Sequence, residues 1–126
     1  VNKTIISSLL VLACAASSNA FAAGNIEAGK EAVAKYACTS CHGADLNSPI
    51  QPEYPKIAGQ HPEYIAHALK SYQRGSDGAN ANGRVQAIMG GVAKPLTDKE
   101  IHDIAAYVGS LSGSLVVVTE SKFLGK

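Results

Sequence analysis

Five consecutive residues, Cys38-Thr39-Ser40-Cys41-His42, restrict this chain more than any other stretch. The spacing C-x-x-C-H reads as a site of covalent haem attachment. Two thiols about one helical turn apart can each add to one vinyl group of a single porphyrin. The next residue, His42, is then held under the iron, where an imidazole nitrogen can ligate it. Two other chemistries share part of the pattern. A thiol-redox C-x-x-C belongs after a strand in a βαβ unit, and no such unit surrounds it here. A zinc half-site needs a second pair of ligands, and Cys38 and Cys41 have no matching cysteine pair downstream.

The rest of the composition agrees with a buried cofactor. The 126 residues suffice for one domain. There is no Trp, and only two Phe are present, so the chain has little aromatic bulk for a core of its own. A porphyrin would supply the missing apolar surface. The formal charge of +1 points away from nucleic acid.

The N-terminal stretch reads as an export signal. Lys3 is a short positive region, Ile5 to Ala16 is an apolar run too short to span a bilayer comfortably, and Ala20-Phe21-Ala22 is a cleavage pattern. Residues 1–22 are therefore expected to be removed, with Ala23 as the mature start. Retention as an anchor is one alternative. Lipidation at Cys14, after Val11-Leu12-Ala13, is a minor one. Cleavage would remove Lys3 and Cys14, leaving 10 basic against 10 acidic residues, with both remaining cysteines inside the motif. A neutral surface implies partner docking that depends only modestly on salt. Export suits the motif, because bacterial haem attachment takes place outside the cytoplasm.

Helical periodicity predicts three main helices. The first runs from Asn25, a plausible N-cap, to Cys38, with Ile26, Gly29, Val33 and Tyr36 or Ala37 on one apolar face. Gly29 on that face would let another helix approach closely. The second runs from Pro62 to Arg74, with Ile65, Ala68, Leu69 and Tyr72 inward and Gly75 as a stop signal. The third opens at Thr97, with Glu100 completing a capping box, and carries the stripe Ile101, Ile104, Ala105, Val108 and Leu111 before ending at Ser112-Gly113-Ser114. Residues 44–54 read as a loop, and Gly75 to Gly91 as a long one rich in Gly, Asn and Ala. Met89, the only Met, lies in it.

These residues resemble a family. Gly29-Lys30 followed by Cys38 to Gly43, then Tyr54-Pro55-Lys56-Ile57-Ala58-Gly59-Gln60-His61 with Tyr64-Ile65 and Leu69, then Leu96 to Ile101 leading to Ala105-Ala106-Tyr107, resemble class I cytochrome c. The resemblance is closest to the haem domains of bacterial cytochrome c4 and the short cytochrome c553 group. It covers about Ala23 to Leu111, and with one C-x-x-C-H and no internal repeat it matches a single such domain.

The resemblance implies an all-α cytochrome c fold of three to five short helices around one covalent haem c. The domain would span 23–112, with 1–22 as signal peptide and 113–126 as a tail of open structure. Cys38 and Cys41 would carry the thioethers, and His42 and Met89 would be the axial iron ligands. The Pro55 carbonyl would meet the other nitrogen of His42. His61 and His67 are weak alternatives as ligands. Arg84 would pair with a haem propionate or stand as an ordinary solvated cation. Gly90 to Pro95 makes a longer bridge to the last helix than cytochrome c4 usually has. The tail Leu115 to Thr119 would pack along the body or offer a contact surface.

The implied function is a periplasmic one-electron carrier and not an enzyme. Its redox partners would be an upstream dehydrogenase or cytochrome complex and a downstream oxidase or reductase. A haem subunit of a larger oxidoreductase complex is a second reading. A sensor or peroxidase would follow if Met89 is not a ligand.

Overall fold

The computed structural model describes residues 23–77 and 82–115. The calls on residues 1–22, including Cys14, and on the tail beyond Leu115 lie outside these residues. The described residues form α1 (Ile26–Lys35), α2 (Thr39–His42), α3 (Pro62–Ser76), α4 (Ala87–Ala93) and α5 (Asp98–Ser110), with no strand among them. The fold is the all-helical one expected.

α1 begins as its sequence demands. Asn25 accepts from the Ala28 amide and caps the first turn. It ends three residues earlier than periodicity suggests. Ala37 adopts a left-handed φ of 53°, the Cys38 amide donates to the Val33 carbonyl, and the Ala37 amide donates to the Ala34 carbonyl. This is a Schellman stop, with alanine where glycine is usual. A non-glycine in that region costs roughly 1–2 kcal/mol. The reversal starts α2 afresh, with Cys38 as its N-cap.

α1 crosses α5 at Gly29. A Cβ there would lie 1.9 Å from the Asp103 carbonyl oxygen, so the close approach expected of Gly29 is met. The inward face differs from the sequence reading at one end: Val33 is buried with Ala32, whereas Ile26 is 46% exposed. Ile101 and Val108 of α5 are wholly buried, and each such side chain contributes about 1.5–3 kcal/mol through burial.

Polar contacts lock the same crossing. Asp103, which sequence reasoning passed over, is buried on α5; it accepts from the Asn25 amide at 2.7 Å and from Lys99 Nζ at 2.6 Å. The Lys99 ammonium, with the Asn25 amide, holds its carboxyl below the usual range. The capping box forms as expected, with Thr97 accepting from the Glu100 amide and Glu100 accepting from the Thr97 amide. Glu100 also accepts from Lys35 Nζ at 2.7 Å and the Tyr36 hydroxyl at 2.9 Å. Lys35 foremost, then the Thr97 amide and Tyr36, lower its carboxyl from 4.5 to about 2.

α3 runs on to Ser76, past its expected stop. Gly75 lies inside the helix and is buried, and a Cβ there would come 2.0 Å from the Arg84 carbonyl oxygen. It admits a neighbouring backbone rather than ending the helix. The returning segment is held by Arg84, whose amide donates to the Ser71 carbonyl at 2.8 Å. The long loop expected over 75–91 is corrected in its second half, where Met89 sits on α4. Gln86 caps that helix by accepting from the Met89 amide at 2.6 Å. Gln73 of α3 donates to the carbonyls of Ala93 and Leu96 and so anchors its far end.

Two measurements test this crossing. In Gly29→Ala the helix gains about 1 kcal/mol in propensity but overpacks against the α5 backbone at about 1–3 kcal/mol. Chemical denaturation is expected to show a net loss, and a gain would contradict the close approach. Because Glu100 is depressed in the folded state, its contribution is full above about 4.5 and fades as pH falls towards about 2. The gap in unfolding midpoint between wild type and Glu100→Gln should shrink across that window.

Candidate functional site

The helices enclose one large, mostly apolar cavity of about 460 Å³. That lies within the ~300–1,000 Å³ typical of cofactor sites. α3 supplies Ile65, Ala68, Leu69 and Tyr72, α5 supplies Ile104 and Val108, and α1 supplies Val33, with Tyr36 at its C-cap. These are the positions that helical periodicity turned inward, so the faces predicted as core are the cavity's walls.

Cys38, Cys41 and His42 all line this space. The Schellman reversal at Ala37 turns them inward, and Gly43, at φ 91°, ends α2 directly after His42. A Cβ on Gly43 would lie 2.1 Å from the Ser48 carbonyl oxygen, so the chain must leave His42 through a glycine. Both cysteines are half-buried free thiols. Burial pushes the Cys38 thiol up from its ordinary value. Redox-active C-x-x-C pairs require the reverse, a depressed thiol.

His42 is buried, and its Nδ1 lies 2.8 Å from the Pro55 carbonyl oxygen. With a carbonyl as partner, Nδ1 carries the proton and donates. The ring's other nitrogen, Nε2, is then the basic one. Met89 and Val92 of α4 also line the cavity, as do Ile88 and Gln86. His61 and His67 are exposed and are not among the lining residues.

At the rim, Arg84 stacks over the rings of Tyr64 and Tyr72, its guanidinium carbon 5.6 Å from each centroid. Its Nη2 lies 3.4 Å from the Tyr64 hydroxyl. These contacts raise the guanidinium pKa further, so its charge is permanent. Lys56 and Glu53 stand at the same rim.

The donor set fits a covalently held haem. Two thiols and an imidazole with its second nitrogen already hydrogen-bonded face an apolar space of cofactor size, which a thioether also lines. Tested for a metal ion alone, the described residues offer no cluster of three or more His, Cys, Asp or Glu. Sequence reasoning missed the tyrosine pair. Tyr64 and Tyr72 are eight residues apart on α3, a spacing that returns to nearly the same helix face. It also missed Gln86, three residues before Met89, where an N-cap side chain sits ahead of the amide it accepts from.

Comparison with known proteins agrees with this geometry. Residues 26–112 match the family model for cytochrome c. A cytochrome c4 from Stutzerimonas stutzeri is 43% identical over 116 residues, covering 90% of this chain and 53% of that protein. The cytochrome subunit of sulfide dehydrogenase from Chlorobaculum tepidum is 44% identical over 75 residues, 60% of each chain. Among solved structures, reduced recombinant cytochrome c4 from Pseudomonas stutzeri superposes with a TM-score of 0.66 at 40% identity, covering 74% of this chain and 48% of that one. The chain thus spans about half the length of the cytochrome c4 relatives it matches.

A cavity of this size, walled by the main hydrophobic cluster, leaves that cluster incomplete without its occupant. A Cys38→Ala, Cys41→Ala chain expressed without covalent cofactor is expected to lose its cooperative thermal transition. A sharp, holo-like transition in circular dichroism would show that the helices close without it.

Proposed function

This chain belongs to the cytochrome c family, as a c-type cytochrome with haem c related to the cytochrome c4 electron carriers, and from that premise we propose that it is a periplasmic one-electron carrier with His42 and Met89 as axial ligands. The observation that carries the reading is the arrangement of one cavity lined by Cys38, Cys41, His42 and Met89, with His42 Nδ1 already engaged by Pro55. Bound there, haem c supplies a one-electron iron couple.

The chain's own residues do the rest. Cys38 and Cys41 tether the porphyrin through thioethers, so it cannot exchange away. Hydrogen bonding at Nδ1 fixes the His42 ring and makes Nε2 a better donor. The Met89 thioether is a soft ligand that favours the ferrous state and raises the potential. With His42 and Met89 both ligating, the bound haem would offer a small molecule no open position. Isoleucine, leucine and valine side chains exclude water from the cavity and limit reorganisation on oxidation. Arg84, stacked on Tyr64 and Tyr72 at the rim, would pair with a propionate of the bound haem, and its contacts to the two rings support that reading.

Its partners are redox proteins, in our reading a dehydrogenase or cytochrome complex upstream and an oxidase or reductase downstream. Periplasmic location rests on the export signal read in residues 1–22 and on the site of haem attachment. No helix among the described residues is long and apolar enough to cross a membrane. Similarity to the cytochrome subunit of sulfide dehydrogenase favours a second reading, in which the chain is the haem subunit of a larger oxidoreductase. The native size of the purified protein separates the two.

Met89→Ala tests the ligand set. In the ferric holoprotein it is expected to abolish the weak far-red band of methionine ligation and to slow electron exchange with a protein acceptor at least tenfold. Retention of that band would remove Met89 from the iron.

A further inference from the structure

The carbonyl that meets His42 sits in a stretch with no regular structure to hold it. Residues 43–61 contain no helix or strand, and Pro55 itself is exposed. Its position must therefore come from the flanks of its loop. The loop is drawn into a ring at Leu46, whose carbonyl oxygen accepts from the amides of Ile57 at 2.9 Å and Ala58 at 3.0 Å. Leu46 takes a φ of 55° to do so, and its side chain is 1% exposed. Such an apolar anchor holds the ring to the core but is non-directional. The two bonds at the Leu46 carbonyl close the ring on itself, and the Ile50 amide ties it to the Cys41 carbonyl at 3.1 Å; the other directional contacts decide how the ring tilts against the body, and so how the Pro55 carbonyl is aimed.

Those contacts come from the end of α5 and the residues just after it. Gly59 donates its amide to the Val108 carbonyl at 2.9 Å. A Cβ on Gly113 would stand 2.1 Å from the Ala58 carbonyl oxygen, so two backbones meet there with no room for a side chain. Across the neck of the ring, Asn47 Oδ1 accepts from both the amide of Ser114 at 3.0 Å and its hydroxyl at 2.9 Å. The segment 111–114 thus touches both sides of the neck, at Asn47 on one and at Ala58 and Gly59 on the other. Asn47 and Ser114 are 67 residues apart in sequence, so ordinary turn chemistry does not account for the pairing.

We propose that residues Leu111 to Ser114 form a clasp on the neck of the Pro55 loop, with Asn47 as its positioning residue. The clasp sets the aim of the Pro55 carbonyl and thereby tunes how strongly His42 donates to iron. This rests on the reading of His42 as an axial ligand. A well-aimed carbonyl makes the imidazole more basic and stabilises the ferric state. Opening the clasp weakens that bond, so the potential rises. Asn47 touches neither the cofactor nor its ligands and acts only through the loop.

The test uses the full holoprotein in its diamagnetic ferrous state. Solvent exchange of the His42 Nδ1 proton is read by NMR, and the midpoint potential by redox titration. Asn47→Ala is expected to accelerate exchange about tenfold, the scale of one lost hydrogen bond, and to shift the potential upward. Asn47→Asp keeps an acceptor for Ser114 and is expected to restore slow exchange. Ser114→Ala, which removes only the hydroxyl bond, is expected to shift both readouts in the same direction by less. Lys99→Ala breaks the ion pair with Asp103 within α5 without touching the loop, and should leave both unchanged.

Wild-type exchange and potential in both Asn47→Ala and Ser114→Ala, with the haem still low-spin, would overturn the clasp and spare the ligand assignment. Equal acceleration in Lys99→Ala would also overturn it, since the effect would then be general loosening. A wild-type protein with no protected Nδ1 proton would show that the Pro55 carbonyl does not hold the ring and would overturn the clasp; a ferrous haem that is high-spin in the wild type would overturn the ligand reading itself.

Discussion

The described helices are arranged around one apolar space of cofactor size. The small core side chains, mainly Ala, Val, Ile and Leu, close the helices on one another only at α1–α5 and along α3. Elsewhere they wall a cavity of about 460 Å³. A protein interior is packed at crystal-like density, so an unfilled space of this size forfeits contacts on every side. The covalent haem restores them. That single requirement explains why the tethering residues, the thioether and the apolar faces of three main helices line one cavity.

Much of this was legible in the sequence where a local rule decides. The capping box at Thr97 and Glu100 and the stripe from Ile101 to Val108 depend only on neighbours in the chain, and they appear where periodicity puts them. Gly29 was legible because a glycine on an inward face has few uses besides close approach. Where two segments meet from a distance, local rules fail. Gly75 has the look of a stop but accommodates the Arg84 backbone. α4 was invisible because Gly90 and Gly91 are poor helix formers. It forms because Gln86 caps it, Gln73 donates to its last carbonyl at Ala93 and to Leu96 just beyond, and Gly90 fits closely against Ser76. Ala37 hides the end of α1, since alanine gives no sign of a left-handed φ.

The site itself divides the same way. Cys38, Cys41 and His42 lie within five residues, so their convergence is a property of one short helix and its N-cap. That Pro55 and Met89 would join them was legible only through resemblance, because each is delivered by a separate segment. The structure puts the Pro55 carbonyl 2.8 Å from His42 Nδ1 and Met89 on the cavity wall. Neither position could be derived from spacing alone. The tyrosine pair that holds Arg84, and the Asn47–Ser114 contact, were beyond any reading of one chain without its fold.

The central proposal is that His42 and Met89 would both ligate the haem iron, leaving a one-electron couple and no open site. The most direct measurement is an optical redox titration of the native holoprotein, repeated under carbon monoxide. The account predicts a single one-electron transition between low-spin forms, with a ferrous spectrum that carbon monoxide leaves unchanged. A ferrous form that is high-spin, or that binds carbon monoxide readily, would contradict it and move the protein to gas or peroxide chemistry.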